Sequence, residues 1–325
     1  MSPPRGRYAP SPTGMIHLGN ARTALAAWLS VRSRSGAFVW RLEDLDRPRV
    51  VPGIAEAQWE DLAWLGLDWD EGPDVGGPHA PYAQSERSDF YEAALRRLAQ
   101  AGRLFPCHLS RKDLQAAASA PHGGEEAPYP PSLRPGQLDP GWFDRLCGLA
   151  RPDAAIRFRV DDGDEGEVAF TDRVFGPVAE RVDLAVGDFV LKRRDGLYAY
   201  QLAVVVDDLA MGIDDVVRGS DLLASTARQI QLITALGGTP PAYAHVPLVV
   251  SAGGEKLSKR DQGLTLRSLR EEGASPEGIT GYLAHSLGLL DRSEPCRPAD
   301  LLPSFAWEKI GRADWALPER VNLSG

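Results

Sequence analysis

Apolar side chains recur at helical spacing early in the chain: Leu18, Ala21, Leu25 and Leu29 line one face of a segment running from about 17 to 34. Gly36 follows as a stop signal. On either side the period changes. Arg7-Tyr8-Ala9 reads as a short strand broken by Pro10-Ser11-Pro12-Thr13-Gly14, and 37–42 reads as a second, with bulk at Phe38, Val39 and Trp40. Strand, turn, helix and strand open a βαβ unit, which predicts a parallel sheet. Two further helical patterns run from about 53 to 65 and from about 86 to 101. Ser85 is the expected N-cap of the second, and Gly102 lies beyond its end.

From about 104 to 186 the texture changes. His122-Gly123-Gly124-Glu125-Glu126 has the composition of a flexible loop, a Pro-rich stretch follows, and short strands are expected at 155–160 and 167–171. Strand–helix alternation resumes with a strand expected over 197–206, a helix near 222–236 and a strand over 246–250. Ser275-Pro276 opens a helix in the tail as N-cap and first helical residue. The expected fold class is α/β. Residues 1–103 form the first half of a Rossmann-type parallel-sheet domain, split by an inserted α+β subdomain at 104–186. Residues 187–264 complete the domain, and 265–325 form a short helical C-terminal tail.

Composition adds exclusions. With 43% hydrophobic and 25% charged residues over 325 positions, this is ordinary globular composition. The 36 basic and 45 acidic residues leave a formal charge of −9, which argues against indiscriminate nucleic-acid binding but not against a local basic surface for RNA. Cys107, Cys147 and Cys296 form no C-x-x-C pair, residues 1–8 hold no apolar signal core, and no run approaches a bilayer span. A cytoplasmic protein without membrane contact is expected.

Two clusters carry candidate chemistry. His17-Leu18-Gly19-Asn20 sits where the first strand turns into the first helix, a place where helix N–H groups meet phosphates. Gly19 would admit a nucleotide close to the backbone, and His17 and Asn20 can donate to phosphate oxygens. Taken alone, a capped helix start explains the same residues. Gly254-Glu255-Lys256-Leu257-Ser258-Lys259-Arg260 follows a strand, and its cations suit a loop that stabilises charge on a leaving pyrophosphate. A solvated basic loop is the plainer alternative.

Together the clusters match H-x-G-[HN] and K-[ML]-S-K-[SR], the paired signatures of class I aminoacyl-tRNA synthetases. Over most of 5–270 the chain resembles the glutamyl-tRNA synthetase lineage of that class. The resemblance runs through Arg7-Tyr8-Ala9-Pro10-Ser11-Pro12-Thr13-Gly14, Arg41-Leu42-Glu43-Asp44-Leu45-Asp46, Val205-Val206-Asp207-Asp208 and Arg218-Gly219-Ser220-Asp221-Leu222-Leu223. It implies activation of L-glutamate with ATP and Mg2+. Glutamate needs a guanidinium for its side-chain carboxylate and an anion for its ammonium. Arg7 and Arg218 are the candidates for the first and Glu43 for the second, with Ala9, Ser11 and Tyr200 completing the pocket. Outside these motifs, Glu43 would read as a surface ion pair with Arg41 or Arg47, Arg218 as a salt bridge to Asp215 or Asp221, and Tyr200 as core. Pro10, His17, Gly19, Asn20 and Lys259 are assigned to ATP; His17, Asn20, Lys256 and Lys259 are the catalytic candidates. The substrate carboxylate attacks the α-phosphate itself, so no side-chain nucleophile is needed.

Only 65 residues follow Arg260 (325 minus 260), too few for the helical anticodon-binding region of a bacterial glutamyl-tRNA synthetase. The chain is therefore similar to the shortened paralogue branch, which implies transfer of glutamate to the queuosine base at the wobble position of tRNA(Asp). The anticodon loop would lie where a synthetase holds the acceptor end, helped by 104–186. A monomer is expected on resemblance. The rivals are a short synthetase charging the 3′ end of tRNA(Glu) and an inactive tRNA-binding paralogue. Many members of the branch hold zinc with three cysteines and a tyrosine. Here Cys107 and Tyr129 match, but Leu109 and Leu133 stand at the other two positions, so no metal site is expected. Adjacent Cys107 and His108 are poorly placed for joint ligation, and local apolar packing of the leucines is the expected substitute. Asp214 and Asp215 also depart from the Thr-His common in relatives, leaving open whether two carboxylates face the active site or the outer surface.

Overall fold

A computed structural model describes residues 3–109, 128–251, 253 and 264–317. The opening βαβ unit is present: β1 (Arg5–Tyr8), α1 (Leu18–Arg32) and β2 (Ala37–Trp40). β1 and β2 pair in parallel from Arg5↔Ala37 to Tyr8↔Trp40. Leu18, Ala21, Leu25 and Leu29 are buried as their spacing requires. Ser35, at φ 53°, turns the chain after α1, and position 36 is held to glycine because a Cβ there would fall 2.2 Å from the Pro4 carbonyl oxygen. Next come α2 (Ile54–Trp64) and α3 (Ser88–Gln100). The expected cap of α3 is corrected: Ser85 lies in a 3₁₀ turn, Gln84–Glu86, and its hydroxyl donates to Asp44 Oδ2 at 2.6 Å. Satisfied there, it cannot cap a helix that begins three residues later.

The following elements are β3 (Leu104–Cys107), α4 (Trp142–Cys147), β4 (Ala155–Phe158), β5 (Glu167–Asp172), β6 (Gly176–Arg181), α5 (Val182–Ala185) and β7 (Phe189–Lys192). After them come α6 (Tyr200–Ala210), β8 (Asp215–Gly219), α7 (Thr226–Ala235), β9 (Ala242–Val246) and β10 (Val249–Val250). α8 (Leu266–Glu271), α9 (Pro276–Ser286) and β11 (Trp315–Ala316) follow. The main sheet has the order β2-β1-β8-β9-β5-β6, parallel except for the β5–β6 hairpin. A second, antiparallel sheet joins β3, β4 and β7. Residues 104–186 thus contribute strands to both sheets.

The strand expected over 197–206 is a helix instead. Leu202, Ala203, Val204, Val205 and Val206 are all buried, and a continuous apolar run does not distinguish a buried strand from a buried helix. What decides it is the pair Asp207-Asp208. On a strand they would point to opposite faces. On α6 both reach one set of buried arginines, Arg7, Arg41 and Arg87. The strand expected over 246–250 is instead the end of one strand and a second short one: Val246 closes β9, and Val249–Val250 form β10.

One apolar core joins α1, β1, β2 and the tail through Leu25, Phe38, Trp40, Leu283 and Leu287; a second packs α3, the small sheet, α6 and α7. Ser275 caps α9 by accepting from Gly278 N at 3.0 Å, with Pro276 first in the helix. Among the described residues, no helix is long and apolar enough to cross a membrane.

Candidate active site

β1 sends its chain to β2 on one side and borders β8 on the other. Such a reversal of strand order leaves a crevice at the carboxyl ends of the strands. Arg7 is the penultimate residue of β1, Arg218 that of β8, and His245 that of β9. Beyond β1, Glu43 N donates to the Pro10 carbonyl at 3.0 Å, which holds Glu43 beside the turn carrying Ala9, Pro10 and Ser11.

Arg7 Nε donates to Asp208 Oδ1 at 3.2 Å and Nη1 to the Val217 carbonyl at 3.3 Å. Arg41, fully buried, bridges Asp208 at 2.5 Å and Glu43 at 3.1 Å. Burial alone would weaken its hold on a proton, but Asp208, Glu43 and Asp207 raise its pKa. Asp208 is pushed up by burial and then held below the ordinary carboxylate range by Arg7 and Arg41. Glu43 behaves oppositely: burial raises it, and Arg41 and Arg7 only partly offset that. The Arg41 partner expected for Glu43 is therefore real, but Arg41 is fully buried and Glu43 partly so, and Asp208 shares the same guanidinium.

Arg218 forms no salt bridge to Asp215. Its Nε donates to His245 Nε2 at 3.0 Å, Nη1 to Gln229 Oε1 at 2.7 Å and Nη2 to Thr226 Oγ1 at 2.9 Å. Three of its five N–H groups thus have uncharged acceptors, and two have none among the described residues. Burial lowers its pKa, as expected for a cation held without a carboxylate of its own. Tyr200 opens α6, where burial raises the phenol and Glu43, Arg218 and Arg7 all act on it. Arg7, Glu43, Tyr200 and Arg218 therefore share one electrostatic neighbourhood. Asp215 lies at the opposite end of β8, bound by Arg34, Arg173 at 2.8 Å and Ser30 at 3.1 Å, and Asp214 accepts from Arg5 N at 2.7 Å. Both aspartates face away from this crevice.

The H-x-G-N turn adjoins it. His17 is the N-cap of α1, and its Nδ1 accepts from Asn20 N at 3.2 Å. A Cβ on Gly19 would come within 3.1 Å of the His17 ring, so glycine keeps this turn tight. Gln58 Nε2 ties down the preceding loop by donating to the Ser11 and Gly14 carbonyls at 3.2 and 2.8 Å. The lysine cluster, with Lys256 and Lys259, lies outside the described residues, as does His122. The chain on either side of the lysine cluster is described. Val249 Cβ stands 3.5 Å from the Cβ position of Gly19, and Thr265 bridges His17 in antiparallel pairing.

Where zinc is expected in relatives, Cys107 Sγ and Tyr129 Oη lie 4.0 Å apart and Tyr129 donates to the Leu133 carbonyl at 2.9 Å. Leu133 packs with Phe105, Cys107, Tyr129 and Leu138, so apolar packing fills one expected ligand position, whereas Leu109 is exposed. Of the ligand positions expected in relatives, the described residues supply one thiol and one phenol, fewer than the four donors usual for structural zinc.

The profile of tRNA synthetases class I (E and Q), catalytic domain, matches residues 5–296. The chain belongs to the class I tRNA synthetases. It is 50% identical to a glutamyl-Q tRNA(Asp) synthetase of Symbiobacterium thermophilum, over 98% of both chains. It is 43% identical to glutamate–tRNA ligase 1 of Halorhodospira halophila, over 86% of this chain but 57% of that one. The glutamate–tRNA synthetase structure from Elizabethkingia anophelis superposes with a TM-score of 0.83 at 31% identity, covering 97% of this chain and 68% of that one. The class I synthetase is thus a ligase with the α/β catalytic fold of its family.

Sequence reasoning missed the aspartate–arginine cluster under the pocket and the acceptors of Arg218. Asp207-Asp208 interrupting an apolar run was the available signal for the first. For His245, Thr226 and Gln229 no pattern existed, because the contacts join strands and helices distant in sequence.

Proposed function

We propose that this class I synthetase activates L-glutamate with ATP and Mg2+ to glutamyl-adenylate without RNA, then transfers glutamate to queuosine at the wobble position of tRNA(Asp). The observation carrying the glutamate step is Arg218 at the crevice, with two N–H groups left over beside Arg7, Tyr200 and the carboxylate of Glu43. That arrangement suits a dicarboxylic amino acid: a guanidinium for the side-chain carboxylate and an anion for the ammonium, with Ala9 and Ser11 lining the turn between. Pro10, His17, Gly19 and Asn20 hold ATP at the start of α1. Lys259, assisted by Lys256, stabilises charge on the departing pyrophosphate.

The acceptor rests on likeness. The chain is 50% identical to a glutamyl-Q tRNA(Asp) synthetase over 98% of both sequences, and 43% identical to a glutamate–tRNA ligase. Residues 104–186 help hold the anticodon loop, and the enzyme works as a cytoplasmic monomer. Zinc has no part in this reading.

Glutamate-dependent ATP–pyrophosphate exchange in the absence of RNA tests the first step. Exchange is expected with the wild type. Lys259→Ala is expected to slow it by about 100-fold or more while glutamate binding is retained. No exchange in the wild type would favour an inactive tRNA-binding paralogue; wild-type rates in the variant would refute the role of Lys259.

A further inference from the structure

Arg218 is held by an acceptor that could equally have been a donor. His245 is fully buried, and its Nδ1 lies 2.7 Å from Asp172 Oδ2. Asp172 is itself buried, and its Oδ1 accepts from Val174 N and Phe175 N, each at 2.9 Å, and from His245 N at 3.3 Å. A carboxylate so surrounded by donors is an acceptor only. It therefore fixes the imidazole proton on Nδ1 and leaves a lone pair on Nε2. That lone pair faces Arg218 Nε–H at 3.0 Å. The other imidazole tautomer would set two N–H groups against each other.

We propose that Asp172 and His245 are positioning residues for glutamate binding: the carboxylate sets the tautomer, and the neutral imidazole fixes the guanidinium with its unused N–H pair toward the substrate. This rests on Arg218 being a glutamate-binding residue. Thr226 Oγ1 stands 3.3 Å from His245 Nε2 and 2.9 Å from Arg218 Nη2, closing the same edge of the guanidinium. Gln229 takes Nη1 and in turn donates to Gln201 Oε1 at 2.7 Å. Burial lowers the basicity of His245 despite Asp172, which keeps the ring neutral. Asp172 is the last residue of β5, so this device ties a strand from the middle of the chain to the end of β8.

Asp172→Asn is close to isosteric and separates positioning from folding. The amide oxygen can keep the two backbone donors of residues 174 and 175. Its NH2 would then donate to Nδ1, move the imidazole proton to Nε2 and oppose Arg218 Nε–H. Loss of a hydrogen bond to a charged group predicts a rise of about 10- to 100-fold in KM for glutamate in pyrophosphate exchange. KM for ATP and kcat should stay near wild type. His245→Leu should do the same. His245→Gln can present an amide oxygen where Nε2 lies, so it should remain within about fivefold of wild type, losing part of one hydrogen bond. Arg218→Lys serves as the reference. If it leaves KM for glutamate unchanged, the pocket assignment itself fails. If it raises KM while Asp172→Asn and His245→Leu do not, the positioning proposal fails alone. Equal KM values for His245→Leu and His245→Gln, or parallel losses for glutamate and ATP, would also overturn it.

Discussion

Glu43 sits in an environment at odds with its charge. Burial raises its pKa more than Arg41 and Arg7 lower it, so the folded protein holds that proton more tightly than an unfolded chain would. Its ionisation therefore works against folding as pH rises, the reverse of Asp208, whose lowered pKa contributes stability that is lost as pH falls through it. A substrate ammonium would supply what the site lacks. On this account KM for glutamate rises as pH falls toward the acid range, beginning above the ordinary glutamate value of about 4.3. Glu43→Gln should raise KM for glutamate by at least about 30-fold, since truncating a buried charge pair costs about 2 kcal/mol or more. It should also flatten that pH dependence and leave the unfolding midpoint at pH 7 unchanged or higher. A variant with the wild-type pH profile would show that another group binds the ammonium.

At the scale of elements, α6 carries both pocket and scaffold. Its first residue, Tyr200, lies in the electrostatic reach of Glu43, Arg218 and Arg7, while two turns on Asp207 accepts from Arg87 at 2.6 Å, Gln84 at 2.8 Å and Tyr91 at 3.0 Å. Asp207 and Arg87 are fully buried, so Asp207→Ala strands a cation and should destabilise the fold by about 3–5 kcal/mol in denaturant unfolding. A loss under about 1 kcal/mol would show that the cluster relaxes around the change. The same helix marks the limit of reading the chain by pattern. Helix α1 was legible from the spacing of Leu18, Ala21, Leu25 and Leu29, and α9 from Ser275-Pro276 at its start, because both signals are local; that α1 is buried on nearly every side was not. The run Leu202–Val206 was not, because β-branched residues buried on every side suit a strand as well as a helix. Its partners, arginines more than 100 positions away, decide the matter. Arg7, Glu43, Tyr200 and Arg218 were legible as a set through their motifs, whereas the acceptors of Arg218 exist only after β5, β8, β9 and α7 have assembled.

Across the whole molecule, a parallel sheet reverses strand order between β1 and β8, and the candidate site residues Arg7 and Arg218 lie near the ends of those two strands. The H-x-G-N turn lies beside it, and the described chain flanking the lysine cluster packs against that turn. The tail is part of this frame: Arg22 of α1 donates to the Ser286 carbonyl at 2.8 Å and to the Pro247 carbonyl at 2.5 Å, joining α9 to the approach to β10. Glutamate activation belongs to this frame, and the acceptor is the claim that reaches furthest beyond it. The direct test incubates the enzyme with ATP, Mg2+ and labelled glutamate, and compares tRNA(Asp) carrying queuosine, tRNA(Asp) lacking it, and tRNA(Glu). The account predicts label on queuosine-containing tRNA(Asp) alone; label at the 3′ end of tRNA(Glu), or on tRNA(Asp) regardless of queuosine, would contradict it.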